Sequence, residues 1–365
     1  MESVAMNNRF WRGKRVLITG HTGFKGSWLS VWLQSKGANI TGYSLQPPTN
    51  PSLFEDAHVA EGITSIIGDV RNLENLQSVV RKYKPEIIIH MAAQSLVRYS
   101  YKDPVDTYST NVMGTVNVLE AGRHADNLKV ILIITSDKCY ENSEWVWGYR
   151  ENDPMGGHDP YSSSKGCAEL ITSAYRRSYF SKKDNPSHCV AVATTRAGNV
   201  IGGGDWAKDR LVPDIMRAIT EDRPVIIRYP NAIRPWQHVL EPLRGYITLV
   251  EKLWQHGEEF SGAWNFGPND RDSRPVSWIA DHLTKFWGNG ACWKSDLNHH
   301  PHEASYLKLD CSKAKSKLGW LPILDLTTTL QWIVEWNRAY IQKKNMRQVT
   351  ESEILRYEQL LQNNV

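Results

Sequence analysis

The sequence predicts an α/β protein: a doubly wound parallel sheet carrying a smaller α+β lobe. Three observations predict it. A short apolar run, Arg15 to Thr19, ends at Gly20, and two further glycines, Gly23 and Gly26, lead into a helix-like stretch. β-rich runs then alternate with helix-like intervals, the pattern of βαβ units in a sheet covered on both faces. Beyond about Arg196 the alternation gives way to scattered glycine and proline, at Gly202-Gly203-Gly204, Pro213, Pro224, Pro230, Pro235 and Pro242.

Taken in order, the later β-rich runs are Asn39 to Ser44, Ile63 to Ile67, Glu86 to Met91, Lys129 to Thr135 and Cys189 to Thr195. Between them, Leu73 to Tyr83, Val105 to Ala121 and Tyr161 to Tyr179 have helical patterning. Trp28 and Trp32 stand at i, i+4 on the first helix and are expected to pack against the sheet. Near the C-terminus Leu326 to Gln342 is periodic, and Thr350-x-x-Glu353 has the form of a capping box opening a last helix.

Composition limits the function. At 365 residues the chain is long enough for two domains. A net charge of +4, from 43 basic and 39 acidic residues, excludes a polyelectrolyte binder. Five cysteines without a CxxC pair fit reduced thiols better than disulfides or a zinc site. The N-terminal stretch has no apolar signal-like core, and no apolar run approaches the ~20 residues that cross a bilayer, so a soluble cytoplasmic protein is expected. Fifteen tryptophans either fill cores or stack on planar or sugar-like ligands, and composition does not choose.

The three glycines are spaced G-x-x-G-x-x-G between a strand and a helix. A tight turn there brings backbone N–H groups and the helix N-terminus toward a pyrophosphate. Gly20, Thr22, Gly23, Phe24, Lys25 and Gly26 are therefore candidate cofactor contacts. Tyr43-Ser44-Leu45, after the second strand, has neither the acidic residue that holds an adenosine ribose nor a basic one for a 2′-phosphate. Asp69 and Val70, after the third strand, are placed to face the adenine.

Tyr161 and Lys165 stand four apart on a predicted helix, hence on one face. Alone, such a pair is commonplace. Here it follows the glycine turn and Thr135-Ser136-Asp137 at the end of the fifth strand, in the order of one active site. With these residues the chain resembles the extended short-chain dehydrogenase/reductases, which have Rossmann-type sheets, and within them the nucleotide-sugar 4,6-dehydratases. The resemblance runs from about Arg12 to about Pro322. Thr19 to Leu29, Thr135 to Tyr140, Asn199 to Trp206 and Arg234 to His238 resemble the branch that acts on CDP-glucose.

The resemblance implies NAD as cofactor and a nucleotide sugar as substrate. It implies that Ser136 bonds the sugar 4-hydroxyl, that Tyr161 removes its proton, and that Lys165 binds the nicotinamide ribose and makes Tyr161 more acidic. Ala92, Ala93 and Gln94 would line the cofactor, and Asn111 would organise the site. Asn199 and Arg234 would hold the substrate diphosphate, with Arg210 and Tyr306 as further substrate contacts. A homodimer or homotetramer built on the helices near Val105 to Ala121 and Tyr161 to Tyr179 is implied, with a place in deoxysugar biosynthesis for surface polysaccharide.

The chemistry explains why these parts belong together. Water leaves C6 of a hexose only after oxidation at C4 acidifies the C5–H. An acid and a base are then needed, and Asp137 and Lys138 directly follow Ser136. The dTDP-glucose branch usually has glutamate at the second position, and lysine matches the CDP branch. Lys138 acts as base only when neutral and Asp137 as acid only when protonated, demands that one shared proton reconciles. A 4-epimerase, or a dehydratase of another nucleotide sugar, shares Ser136, Tyr161 and Lys165, but simple epimerases have no use for Asp137 and Lys138.

The remaining candidates are weaker. No step needs the Cys139 thiol, which is expected to be packed. His299, His300, His302 and Glu303 read as a solvated loop or part of the substrate lobe, and no metal site is expected. The arginines of the second lobe are dispersed, which suits a diphosphate rather than nucleic acid. Trp206 and Trp236, inside the branch-specific stretches, are candidates to shape the sugar or base pocket. The domains read as a tail (1–11), an NAD-binding domain (12–195) joined by short later segments, a mainly substrate-binding lobe (196–349) and a C-terminal helix (350–365).

Overall fold

A computed structural model describes residues 8–181, 189–296 and 307–363. Seven strands form one parallel sheet: β1 (Arg15–Thr19), β2 (Asn39–Ser44), β3 (Thr64–Ile67), β4 (Ile87–His90), β5 (Val130–Ile134), β6 (Ala191–Arg196) and β7 (Gly262–Asn265). Their spatial order is β7-β6-β5-β4-β1-β2-β3. The order reverses between β1 and β4, and ligands of open α/β sheets bind outside the carboxyl ends of strands at such a switch.

Alternation along the strands divides the core. Val16, Ile18, Ile87, Ile89, Val130 and Leu132 face one layer, while Leu17, Ile88, Ile131 and Ile133 face the other. The first layer is covered by α1 (Phe24–Ser35) and α5 (Leu240–His256), and the second by α2 (Leu73–Tyr83), α3 (Gly114–Arg123) and α4 (Pro160–Tyr179). The stretch read as one helix from Val105 is helical throughout but changes pitch within it. A helix at Pro104–Tyr108 passes through a π-helical turn, Ser109–Met113, into α3. Single π turns inside helices frequently mark functional sites.

The second lobe has its own core, with Val212, Ile215, Ile279, Leu283 and Trp236 among its buried residues. It is built from helices at Leu211–Thr220 and Val276–Trp287 and three short strand pairs. The return to the first lobe is more than a short crossing: α5 and β7 complete its sheet and one layer. The last helices are α6 (Leu326–Ile341) and α7 (Met346–Asn363).

Two expectations are corrected here. The last helix opens four residues before Thr350, where Asn345 Oδ1 accepts from the Gln348 N–H. Thr350 is buried inside the helix and accepts from Trp336 Nε1, so it caps nothing. The tryptophans largely fill cores. Trp28 and Trp32 are fully buried, donating to Gly203 O and to Glu358 on α7, so α1 is clamped by the C-terminal helix as well as by the sheet. Trp206 packs on Trp336 and Tyr340, and Trp236 lies in the second core with its N–H on Arg274 O. Both are thus engaged in the protein's own packing.

Candidate active site

The glycine turn is formed as a cradle. Gly20 has φ +77°, and a Cβ there would stand 2.6 Å from the Ala92 nitrogen. A Cβ on Gly26 would stand 2.1 Å from Gly20 O. Thr22 Oγ1 pairs with Ser44 Oγ (2.8 Å) and donates to Leu45 O (2.9 Å), fastening the turn to the end of β2. Gly23 precedes α1 and no side chain caps that helix, which leaves its first N–H groups for an anion. Phe24, at the first helical position, is partly buried.

Across the switch, Thr19 Oγ1 accepts from the N–H groups of Met91 and Ala92 (3.2 Å each). Asn111, in the π turn, accepts from the Gln94 N–H and donates to both Gln94 O and Ser164 Oγ, each at 2.9 Å. It thus ties the Ala92-Ala93-Gln94 loop to α4, the helix bearing Tyr161 and Lys165. The other adenine-side residues differ from expectation. Asp69 is gripped by Arg71, which holds its carboxyl below the usual range, and the Val70 side chain is buried against Gly114. What these two offer a ligand is the backbone and the edge of that ion pair.

Ser136, Asp137, Tyr161 and Lys165 are all buried around the ends of β5 and α4. Asp159 caps α4 through the Ser162 N–H (2.9 Å), which fixes the start of the helix and the position of Tyr161. Ser136 Oγ donates to Asp137 Oδ1 (2.9 Å) and accepts from the Lys138 N–H (3.2 Å), holding the Asp137–Cys139 turn. Burial pushes Tyr161 up to about 12, opposed by its hydrogen bond with Ser136 and by Arg210. Burial pushes Lys165 down to about 8, and its ammonium donates to Ile134 O (3.4 Å). Arg210 is thus one cation whose charge opposes the effect of burial on Tyr161.

Arg210 bridges the lobes, pairing with Asp205 (2.9 Å) and donating to Ser95 Oγ (2.8 Å). Lys25 reaches the same cluster: burial, with Lys165 and Arg210 nearby, pushes it down to about 7, while Asp137 acts in the opposite direction. Asn199, at φ +45°, accepts from the Gln237 N–H through its carbonyl, which joins it to the strand segment following Arg234. Arg234 is half-buried, with Nη1 on Ile233 O. Tyr306 and the histidine-rich stretch lie outside the described residues, and among those described no His/Cys/Asp/Glu cluster could hold a metal ion. Cys139 is buried and its thiol is pushed well up by burial, in keeping with a packed residue.

Asp137 Oδ2 is buried with no hydrogen-bond partner among the described residues, whereas the buried hydroxyls of Thr195 and Tyr246 turn to one another. Such an orphan is rare unless a ligand or water completes it. With the glycine cradle and the uncapped N-terminus of α1, it fits a dinucleotide and a polar substrate.

Three residues were missed by reading the sequence. Glu169, Arg196 and Tyr140 form a buried network directly beneath the Asp137–Cys139 turn. The available signals were a glutamate four residues after Lys165 on the helix and an arginine closing an otherwise uncharged strand.

The model of the family described as GDP-mannose 4,6 dehydratase matches residues 17–264. The chain is 56% identical over 352 residues to CDP-glucose 4,6-dehydratase of Salmonella typhimurium, covering 96% of this chain and 98% of that one. Two solved structures share the fold. UDP-glucose 4-epimerase of Thermotoga maritima, with UDP-glucose, has a TM-score of 0.77 at 20% identity, over 90% of this chain and 99% of that one. dTDP-glucose 4,6-dehydratase of Bacillus anthracis, in complex with NAD, has a TM-score of 0.73 at 21% identity, over 92% and 100%. With the strand-end serine and the helix-borne tyrosine and lysine beside an Asp-Lys turn, these findings make the chain a member of the GDP-mannose 4,6 dehydratase family, within the extended short-chain dehydrogenase/reductases.

Proposed function

We propose that this protein removes water from CDP-D-glucose, giving CDP-4-dehydro-6-deoxy-D-glucose. The observation that carries the reading is the Asp137-Lys138 turn at the buried Ser136, Tyr161 and Lys165, a turn that would supply an acid and a base. The full-length similarity to the Salmonella enzyme supports CDP-glucose among nucleotide sugars.

NAD, when bound, supplies the two-electron acceptor that takes hydride from C4 of the sugar and returns it at C6. The glycine turn, the Ala92-Ala93-Gln94 loop and Lys165 would hold it. Ser136 orients the 4-hydroxyl and Tyr161 takes its proton. Positive charge from Arg210 favours the phenolate against the upward push of burial. Once C4 is a ketone, Lys138 takes the C5 proton, Asp137 protonates the departing O6, and Lys138 gives its proton back to C5 as the hydride arrives at C6. Ser136, bonded to Asp137 Oδ1, links the oxidation and elimination centres. Arg210, Asn199 and Arg234 supply charge and polarity for the diphosphate.

The chain self-associates in this reading. Val105, Met113 and Leu170 are 74%, 52% and 61% exposed on adjoining helical segments, apolar surface that a second copy would cover. Cysteines that form no disulfide and a nucleotide-sugar substrate suit the cytoplasm, and among the described residues no helix is long and apolar enough to cross a membrane.

The test is incubation of the purified protein with CDP-, dTDP-, GDP- and UDP-hexoses, following product mass and the alkali-induced absorbance of the keto sugar; sedimentation of the same sample reads its oligomeric state. Loss of water from CDP-glucose is expected, and loss from none of the four overturns the reading. Lys138→Ala is expected to keep C4 oxidation, seen as retained reduced nicotinamide, and to lose elimination. Normal turnover in that variant removes Lys138 from its role.

A further inference from the structure

The Asp137–Cys139 segment carries the groups that separate elimination from simple oxidation, yet it is one 3-10 turn and cannot hold itself in place. Beyond the Ser136 bonds and the Gly156 N–H on Cys139 O, its supports lie underneath. Tyr140, the next residue, is 1% exposed. Its hydroxyl accepts from Arg196 Nη1 (2.6 Å) and donates to Asn265 Oδ1 (2.8 Å). Arg196 is held by Glu169 in a two-bond fork, Nε to Oε1 at 3.0 Å and Nη2 to Oε2 at 2.9 Å. The same carboxylate accepts from Thr135 Oγ1 (2.5 Å) and Thr194 Oγ1 (2.7 Å). Thr135 and Tyr140, the residues that bracket Ser136 to Cys139, therefore end on one buried ion pair. Glu169 stands one helical turn beyond Lys165 on α4, so the pair also refers the turn to the helix that carries Tyr161 and Lys165.

Tyr161 and Lys165 have separate supports, the Asp159 cap and the Asn111–Ser164 bond. Releasing Tyr140 would shift Asp137 and Lys138 and leave Tyr161 and Lys165 in place. We propose that Tyr140, gripped by the Arg196–Glu169 pair, is a positioning residue that sets Asp137 and Lys138 in register with Tyr161 and Lys165, and so controls elimination separately from C4 oxidation. The inference rests on the dehydratase reading above.

Tyr140→Phe tests it, because the ring and its stacking on Tyr149 (centroids 5.1 Å apart) are kept while the hydroxyl is lost. Arg196→Lys is the second variant: an ammonium keeps charge for Glu169 but lacks the fork that also reaches Tyr140. Both are compared with wild type as NAD-loaded enzyme turning over CDP-glucose. A displacement of well under 1 Å is expected to lower kcat about tenfold. KM should be unchanged, and the fraction of bound nicotinamide found reduced at steady state should rise. Amide exchange of the substrate-free enzyme should quicken in residues 136–140 and stay as in wild type in residues 161–169. Wild-type kcat in Tyr140→Phe overturns the proposal. So does a fall in kcat with no rise in reduced nicotinamide, or unaltered exchange in the turn. If Tyr140→Phe does not fold, the same readouts on Arg196→Lys decide. Absence of water loss by the wild type would instead sink the dehydratase reading, and the exchange measurement would still report on the turn.

Discussion

Glu169 and Asp137 are both buried carboxylates, 5% and 2% exposed, one beneath the Asp137–Cys139 turn and the other within it. Glu169 has both oxygens filled, by two hydroxyls and a guanidinium fork. Asp137 accepts from Ser136 on Oδ1 and has nothing on Oδ2, and a Cβ on Gly198 would stand 1.7 Å from that oxygen. The difference separates floor from cleft. Under the turn, polar groups are satisfied and hold atoms in place; above it, hydrogen-bonding capacity is left open at an energetic cost of roughly 1–3 kcal/mol per group.

The same conservative change, carboxylate to amide, should therefore have opposite readouts at the two acids. Glu169→Gln leaves the Arg196 guanidinium buried without its counter-charge, which costs about 3–5 kcal/mol for buried pairs broken on one side. Urea unfolding at neutral pH measures it. Loss below about 1 kcal/mol would show that the floor is not held by this pair. The arginine, with help from Thr135 and Thr194, holds the Glu169 carboxyl below its usual range against the upward push of burial. Its contribution to stability is therefore present above its ordinary value and is lost as pH falls below it.

Two buried imidazoles under the cofactor end of the cleft make the next largest difference, and at higher pH than the acids. Burial pushes His21 down to about 4; burial, with Lys165 nearby, pushes His90 down to about 3. Hydrogen bonding explains why His90 stays neutral. Thr19 Oγ1 already accepts from two amides, so its proton goes to His90 Nδ1 at 2.7 Å; Thr115 donates to Asn111 O and so accepts from His90 Nε2. Both folded values lie below 6.5, so this stability is complete above about pH 6.5 and declines as pH falls toward them. Roughly 2–3 kcal/mol per imidazole is gone by about pH 4.5. Urea midpoints at pH 7, 6 and 5 should fall progressively, and a flat profile over that range would contradict the assignment.

The comparison also explains what could be read from the sequence. The cofactor side follows local rules. Alternating apolar runs became strands, with Asn39 to Ser44 matching to the residue, and the glycine turn lies where it was expected. Ser136, Asp137, Tyr161 and Lys165 were legible because a motif and a strand end fix each of them. Glu169 and Arg196 were not, because their pairing spans 27 residues and exists only once β6 lies beside α4. The π turn inside the helix read from Val105 was hidden for a related reason: it places Asn111 against Gln94 and Ser164, a tertiary demand that periodicity does not record. Thr350-x-x-Glu353 had the form of a cap, but both residues were buried by contacts with α6 and His238, which a local pattern cannot anticipate.

Asp137→Asn is the smallest expected change in stability and the sharpest test of the floor-and-cleft distinction. Two effects oppose each other. Removing the charge relieves the desolvation of a carboxylate with one unpartnered oxygen, while Lys25 loses the anion that raises it against the cations around it. As the two offset each other, unfolding should shift by less than about 1 kcal/mol in either direction, with the Ser136 bond to Oδ1 retained. Dehydration should nevertheless fall by about 10²-fold or more, since an amide cannot protonate the departing O6. C4 oxidation should persist, with reduced nicotinamide accumulating. A loss of stability as large as that of Glu169→Gln would place Asp137 in the floor, and unimpaired water loss would remove it from the acid's role; together the two amide variants assign each carboxylate to holding or to chemistry.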